Sequence, residues 1–225
     1  MLLYYSPTSP YVRKVLVAAR ELGIENQIKA ESCSTNPLIP SQASHAHLNP
    51  SAKIPTLVSD SGKAYFGSQN IIQYLDHVAG GNKIISQTDI EARLDALTLE
   101  AIADGMLDAA LLVRYETLAR PEQYRWNEWT KGQTQKILLG LKSLSDRLPG
   151  TGADRPIGAM LPDPTLPGPL PLEGIAAACA LWYLDLRFNE IIGWRDTKEG
   201  APLKEWYAEI QKRSSWNDEK YKSSS

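Results

Sequence analysis

The sequence predicts a small mixed α/β domain followed by an all-helical one. Three observations carry that prediction. Strand and helix signals alternate through the first 80 residues. Strand signals nearly vanish after Gly80-Gly81. A long helical rhythm of apolar residues then opens behind Thr88-Asp89-Ile90-Glu91, which has the form of a capping box with Thr88 as cap and Glu91 three residues on. The expected domains are residues 1–80 and 86–225, joined by a linker at 82–87.

Leu2 to Tyr5 reads as the first strand. Val12, Val15, Leu16, Ala19 and Leu22 recur at helical spacing, and Gly23 is a natural stop. Ile24 to Ala30 is expected as a second strand, before a polar loop with Pro37 and Pro40. Asn49-Pro50-Ser51-Ala52-Lys53-Ile54-Pro55 leads into a strand over Thr56 to Val58. Asp60-Ser61-Gly62-Lys63 is a hairpin turn signal, and Ala64-Tyr65-Phe66 is the return strand. Ser68 is expected to cap a helix carrying Ile71, Ile72 and Leu75. That order builds a small mixed sheet with helices packed on it.

In the second domain Leu94, Leu97, Ala101, Met106, Ala110 and Val113 predict a long helix as far as Tyr115. Pro121 is expected to open the next, with Trp129, Ile137, Leu141, Leu144 and Leu148. A third runs from about Leu172 to Leu186, and a fourth lies near Pro202 to Lys212. Between them, Pro149 to Pro171 holds seven of the chain's 15 prolines. Proline removes N–H donors and blocks helix continuation, so an extended connection is expected there. The tail from Asn217 to Ser225 is polar and expected to fray.

Composition excludes several classes. The 225 residues are 43% apolar and 22% charged, with a formal net charge of −2. That balance gives no reason to invoke nucleic acid or an anionic membrane. No apolar run approaches the ~20 residues that span a bilayer, and the N-terminus reads as a strand, not a signal peptide. Cys33 and Cys179 stand in no metal spacing, and His45 and His47 form no metal set. A cytoplasmic protein with free thiols and no metal is the expectation.

The most informative stretch is Tyr4-Tyr5-Ser6-Pro7-Thr8-Ser9-Pro10-Tyr11-Val12-Arg13-Lys14-Val15: a strand, a tight turn and a helix with Pro10 in its first turn. Ser9 falls at the N-cap. A hydroxyl there, in the field of a helix N-terminus, can stabilise an anion such as a thiolate. It can also serve only as a cap.

In their order and spacing, Ser9-Pro10-Tyr11, then Asn49-Pro50-Ser51-Ala52-Lys53-Ile54-Pro55-Thr56-Leu57, then Ser68 and the helix ending Tyr74-Leu75-Asp76 resemble a cytosolic glutathione S-transferase of the bacterial type. Ala103-Asp104-Gly105-Met106-Leu107-Asp108 and Ala176-Ala177-Ala178-Cys179-Ala180-Leu181 fit that family's helical domain. The resemblance covers nearly the whole chain. It implies an α/β thioredoxin-like N-terminal domain, an all-α C-terminal helical domain, glutathione as co-substrate, a small electrophile as partner substrate, and a homodimer.

The resemblance also implies roles for particular residues. Pro55 matches the family's cis-proline, which would turn Ile54 outward to pair with the cysteinyl part of glutathione. Ser68 would hold the γ-glutamyl carboxylate, with Gln69 as a weaker neighbour, and Lys53 could attract the glycyl carboxylate. Ser9 would lie beside the glutathione sulfur, with Thr8 as the second choice, and would favour the nucleophilic thiolate. The electrophile pocket is expected near Tyr11, Asp104, Met106, Asp108 and Leu111. Two departures stand out. Gly67 occupies a position that is usually acidic in the family. Pro171-Leu172-Glu173-Gly174 lacks the family's capping box. A glutathione-dependent peroxidase or isomerase, or a non-catalytic binding protein of the same fold, are the competing readings.

Overall fold

The computed structural model describes residues 1–35, 38–149 and 160–217. The chain divides into two compact units. The first comprises Met1–Thr88, Gly168–Leu170 and the stretch from Arg213; the second comprises Asp89–Pro167 and Pro171–Lys212.

The first unit is a four-stranded sheet carrying two α-helices. Its elements are β1 (Leu2–Tyr5), α1 (Pro10–Glu21), β2 (Lys29–Ser32), β3 (Thr56–Val58), β4 (Ala64–Phe66) and α2 (Ser68–Val78). The strand order is β2-β1-β3-β4. β1 runs parallel to β2 and antiparallel to β3, and β3 is antiparallel to β4. Alternation puts Leu3 and its cross-strand partner Leu57 on the covered face, where both are fully buried with Val15, Ile71, Ile72 and Leu75. The β3–β4 turn forms where the Asp60-Ser61-Gly62-Lys63 signal predicts it. Gly62 takes φ +79°, in the left-handed region that glycine tolerates.

The second strand differs from expectation. Glu25–Gln27 forms a 3₁₀ turn, in which the N–H groups of Gln27 and Ile28 donate back to the carbonyls of Ile24 and Glu25. β2 therefore starts at Lys29 and ends at Ser32. Ile24 and Ile28 are buried as a strand reading requires, but a turn of helix buries both just as well. Helix α2 is also corrected. Its N-cap is Gly67, and Ser68 is its first helical residue.

The second unit holds α3 (Ile90–Arg114), α4 (Asn127–Ser145), α5 (Leu172–Phe188) and α6 (Leu203–Gln211). α5 is buried nearly all round, the position its continuous apolar run demands, and α3 packs on both α4 and α5. Gly140 makes the α3–α4 approach possible, since a Cβ there would lie 2.3 Å from Met106 Cγ. Asp89, not Thr88, caps α3. Its carboxylate accepts from the N–H groups of Glu91 and Ala92 at 3.0 and 3.1 Å, so one acid serves two of the helix's orphan donors. Pro121 does not open α4. A 3₁₀ turn at Glu122–Tyr124 follows it, and Arg125 is extended. α4 begins only after the Trp126 N–H has donated to the Glu116 carboxylate at 2.8 Å. That bond, with Arg120 beside it, holds the Glu116 carboxyl below its ordinary range against the opposing effect of burial. Helix α5 has Pro171 at its N-cap and no side-chain cap, and Glu173 lies in its first turn. Burial pushes the Glu173 carboxyl up, with Asp95 and Glu100 adding to it against a bond from Glu173's own N–H. It is thus a weaker complement to the helix dipole than a free carboxylate. Within the proline-rich stretch, residues 150–159 lie outside the described residues.

The turn before α6 makes a sharp prediction. A Cβ at Gly200 would lie 2.2 Å from the Trp194 carbonyl oxygen, which is backbone and cannot swing away. Trp194 is itself buried and held by Asp185, whose Oδ1 accepts from its indole N–H at 2.7 Å. Gly200→Ala is therefore expected to cost about 2 kcal/mol, read as a lowered denaturation midpoint. An unchanged midpoint would reject the clash.

Candidate active site

The sheet register gathers the predicted site residues at one end of the first unit. Tyr4 pairs with Thr56 and Thr56 with Phe66, which makes a row across three strands. One residue beyond that row stand Tyr5, Pro55 and Gly67. Tyr5 leads to Ser9 and α1. Pro55 follows Ile54 through a cis bond. Gly67 caps α2. The N-termini of both helices thus open at the same sheet end as the Lys53–Pro55 bend. Cys33, one step past the Ser32–Tyr5 pair, joins them, its N–H donating to the Tyr5 carbonyl at 3.0 Å.

Ser9 is the N-cap of α1, with Pro10 behind it, as the local sequence chemistry predicts. Its Oγ accepts from the Val12 N–H at 3.3 Å. That bond uses a lone pair and leaves the hydroxyl proton to donate elsewhere. Thr8 is exposed, with its Oγ1 3.5 Å from Ser6 Oγ. It stands one residue outside the cap and has no part in it. Tyr11 lies in the first turn of α1 with the Lys14 ammonium 5.8 Å from its ring centre.

Ser68 is 5% exposed at the first position of α2, and its hydroxyl makes no hydrogen bond among the described residues. The α2 N-terminus carries no side-chain cap and no acid in its first turn. Its first-turn N–H groups and its dipole therefore favour an anion. Gln69 is half-buried behind Ser68, and Lys53 is exposed. Gly67 takes φ +81°, a conformation that a glycine adopts without the cost a side chain would add.

The remaining expected pocket residues lie on α3 in the second unit. Asp108 is exposed, while Asp104 and Leu111 are half-buried. Met106 is 2% exposed and packs against Gly140, so its side chain is committed to the helical core. Arg13, one turn into α1, donates to the Trp216 carbonyl at 3.0 Å and stacks on the Trp216 ring at 4.4 Å. It holds a segment of the chain in place. Cys33 and Cys179 are buried and in no disulfide. Burial pushes the Cys33 thiol up, and the charge of Glu31 adds to it, so Cys33 is a poor thiolate near neutral pH. Among the described residues no group of acids, histidines and cysteines is placed to hold a metal, and no helix is long and apolar enough to cross a membrane.

Sequence reasoning missed three residues that shape the bend. His45 Nε2, Asn49 Nδ2 and Thr56 Oγ1 all contact the Lys53 carbonyl oxygen, at 2.9, 2.9 and 3.0 Å. Asn49 Nδ2 also donates to Thr56 Oγ1 at 3.0 Å. Asn49 is a polar residue that the fold buries to 1% exposure, and nothing in the sequence spacing aims it at Lys53.

Fold and site together define a class. A β1-α1-β2-β3-β4-α2 unit with a cis-proline opening β3 is a thioredoxin-like domain, and here an all-helical unit follows it. Residues 3–83 match the family model described as glutathione S-transferase, N-terminal domain. The chain is 32% identical over 189 residues to the uncharacterized GST-like protein YibF of Escherichia coli K12, covering 83% of each protein. It is 35% identical, with TM-score 0.82 and 96% of each chain covered, to a glutathione transferase family member from Pseudomonas fluorescens Pf-5 solved with bound glutathione. A glutathione S-transferase from Methylobacillus flagellatus KT, also solved with glutathione bound, is 30% identical at TM-score 0.74, again with 96% of each chain covered. The chain belongs to the glutathione S-transferase family.

Proposed function

We propose that this protein is a glutathione S-transferase that activates the thiol of glutathione for attack on small electrophiles, acting as a cytoplasmic homodimer. One observation carries the reading. The Tyr4–Thr56–Phe66 row brings a hydroxyl-capped helix N-terminus, the Ile54–Pro55 cis bend and an uncapped helix N-terminus with a buried serine to one sheet end. Those are the chemistries that a thiolate, a peptide edge and a carboxylate need. Ser9 donates to the sulfur, with Thr8 as the fallback donor. Ile54 offers its peptide edge after the bend that Pro55 closes. Ser68, with Gln69 beside it, holds the γ-glutamyl carboxylate, and Lys53 attracts the glycyl one. The solved relatives hold glutathione, which supports carrying the ligand over. The buried Cys33 is no ready nucleophile, so glutathione supplies the reactive sulfur.

Calorimetric titration with glutathione tests the reading. A dissociation constant in the micromolar-to-millimolar range, followed by conjugation of a model electrophile, supports it. No binding would mean that Gly67, where the family usually has an acid, has removed the site, and would leave a non-catalytic protein of the same fold. Binding with peroxidase or isomerase turnover but no conjugation would select the other reaction class. Ser68→Ala is expected to raise the dissociation constant for glutathione about ten-fold, the loss of one charge-assisted hydrogen bond, with little effect on turnover at saturating glutathione. An unchanged constant would sink that assignment.

A further inference from the structure

We infer that His45 is a positioning residue for the thiol substrate, acting through the Lys53 carbonyl to aim the Ile54 N–H. The inference rests on the glutathione reading above and adds a residue to that site.

The imidazole of His45 is fully buried. Its Nε2 lies 2.9 Å from the Lys53 carbonyl oxygen. A carbonyl only accepts, so Nε2 must carry the ring proton. The other nitrogen, Nδ1, is buried and meets no hydrogen-bond partner. Nothing else polar fixes the ring. Its second restraint is stacking on Tyr4, with centroids 5.5 Å apart and planes at 27°. Tyr4 is the residue whose register partner, Thr56, follows the bend. His45 therefore ties the bend to the strand beside it.

The consequence runs through one peptide unit. The Lys53 C=O and the Ile54 N–H belong to the same planar trans amide and point in opposite directions. Three donors hold that carbonyl oxygen, from His45, Asn49 and Thr56. A carbonyl has two lone pairs, so this acceptor is saturated and the amide plane is fixed. With the oxygen held inward by buried side chains, the N–H is held outward. Among the described residues the Ile54 N–H makes no hydrogen bond. Asn49 and Thr56 also bond each other and so support the loop in any case. His45 is the donor whose single polar contact is that oxygen.

The test uses His45→Phe and His45→Gln in the full chain. Phenylalanine keeps the ring stacked on Tyr4 and removes the donor, whereas glutamine keeps an N–H donor. For His45→Phe the dissociation constant for glutathione is expected to rise about five-fold, the loss of one hydrogen bond's worth of ordering. Turnover at saturating glutathione should stay within about two-fold of wild type. His45→Gln should recover most of the affinity. A second readout needs no ligand: the ¹⁵N heteronuclear NOE of the Ile54 amide should fall in His45→Phe and return in His45→Gln. Equal affinities in wild type and His45→Phe would overturn the inference. So would an Ile54 NOE that does not change, whether or not glutathione binds. Failure of the wild type to bind glutathione would instead strike the proposed function, and the NOE series would still decide the role of His45.

Discussion

Ser9→Ala is expected to lower conjugation turnover roughly 10- to 100-fold while changing the dissociation constant for glutathione by less than about three-fold. The magnitude follows from what the hydroxyl supplies. Its lone pair caps α1 through the Val12 N–H at 3.3 Å, and in the proposed function its proton donates to the glutathione sulfur. Such a donor favours the thiolate over the thiol. Its loss should raise the bound thiol's pKa by about one to two units, and at neutral pH each unit costs ten-fold in reactive thiolate. Binding is less affected because the thiol form needs no such donor. The pH profile gives a second check. The rise in turnover with pH should move to higher pH in Ser9→Ala and stay near wild type in Ser9→Thr. The substitution also removes a cap, worth about 1 kcal/mol of stability, so turnover is to be compared on folded protein. Equal turnover in wild type and variant would reject Ser9 and turn attention to Thr8.

How much of this was legible in the sequence depended on the range of the interaction. The Ser9–Pro10 helix start, the Gly23 stop and the Gly62 hairpin are fixed by neighbours within four residues, and local chemistry was enough to place them. The Thr88 box failed by one residue because Asp89 can cap with a carboxylate that takes two N–H groups, and a pattern of side-chain types does not rank such competitors. The α4 start failed because its decisive partner, Glu116, lies ten residues earlier. Ile24 to Ala30 failed because a 3₁₀ turn and a strand can bury the same two isoleucines. In the candidate site, Ser9 was marked by its own helix-start chemistry, whereas Ile54, Pro55 and Ser68 were named through the family resemblance of the motifs that hold them. Their convergence was not legible, since it needs the register of three strands. His45, Asn49 and Thr56 meet on one carbonyl from offsets of eight, four and three residues, and no periodicity marks that.

Glu21→Gln and Glu21→Ala are expected to be the most destabilising of the substitutions considered, at roughly 3 kcal/mol for alanine. An acid in the last turn of a helix opposes the dipole, which in the sequence was an unread signal that something else must hold it. In the first unit that something is a clamp from two remote segments. Arg213 donates to the Glu21 carboxylate through Nε at 2.8 Å and Nη2 at 2.9 Å, the Ser215 hydroxyl donates to it, and the Leu170 N–H does so at 2.9 Å. Arg213 Nη2 also reaches the Gly168 carbonyl at 2.6 Å. Glu21 is only 5% exposed and Arg213 19%, so removing the acid strands a largely buried guanidinium. Burial alone would push the Glu21 carboxyl up; the bonds from Arg213, Ser215 and Leu170 and the charge of Arg213 outweigh it and hold the group below its ordinary 4.5. A carboxyl lowered on folding contributes stability above its unfolded value and loses it as pH falls through the folded one. The stability gap between wild type and Glu21→Gln should therefore be full at neutral pH and narrow as pH drops below 4.5. Chemical denaturation at pH 7 and at steps down to pH 3 measures it, and hydrogen exchange of the α1 amides should quicken in the variant. A gap that stays constant across that range would mean the carboxylate's charge contributes nothing and the clamp acts only through packing.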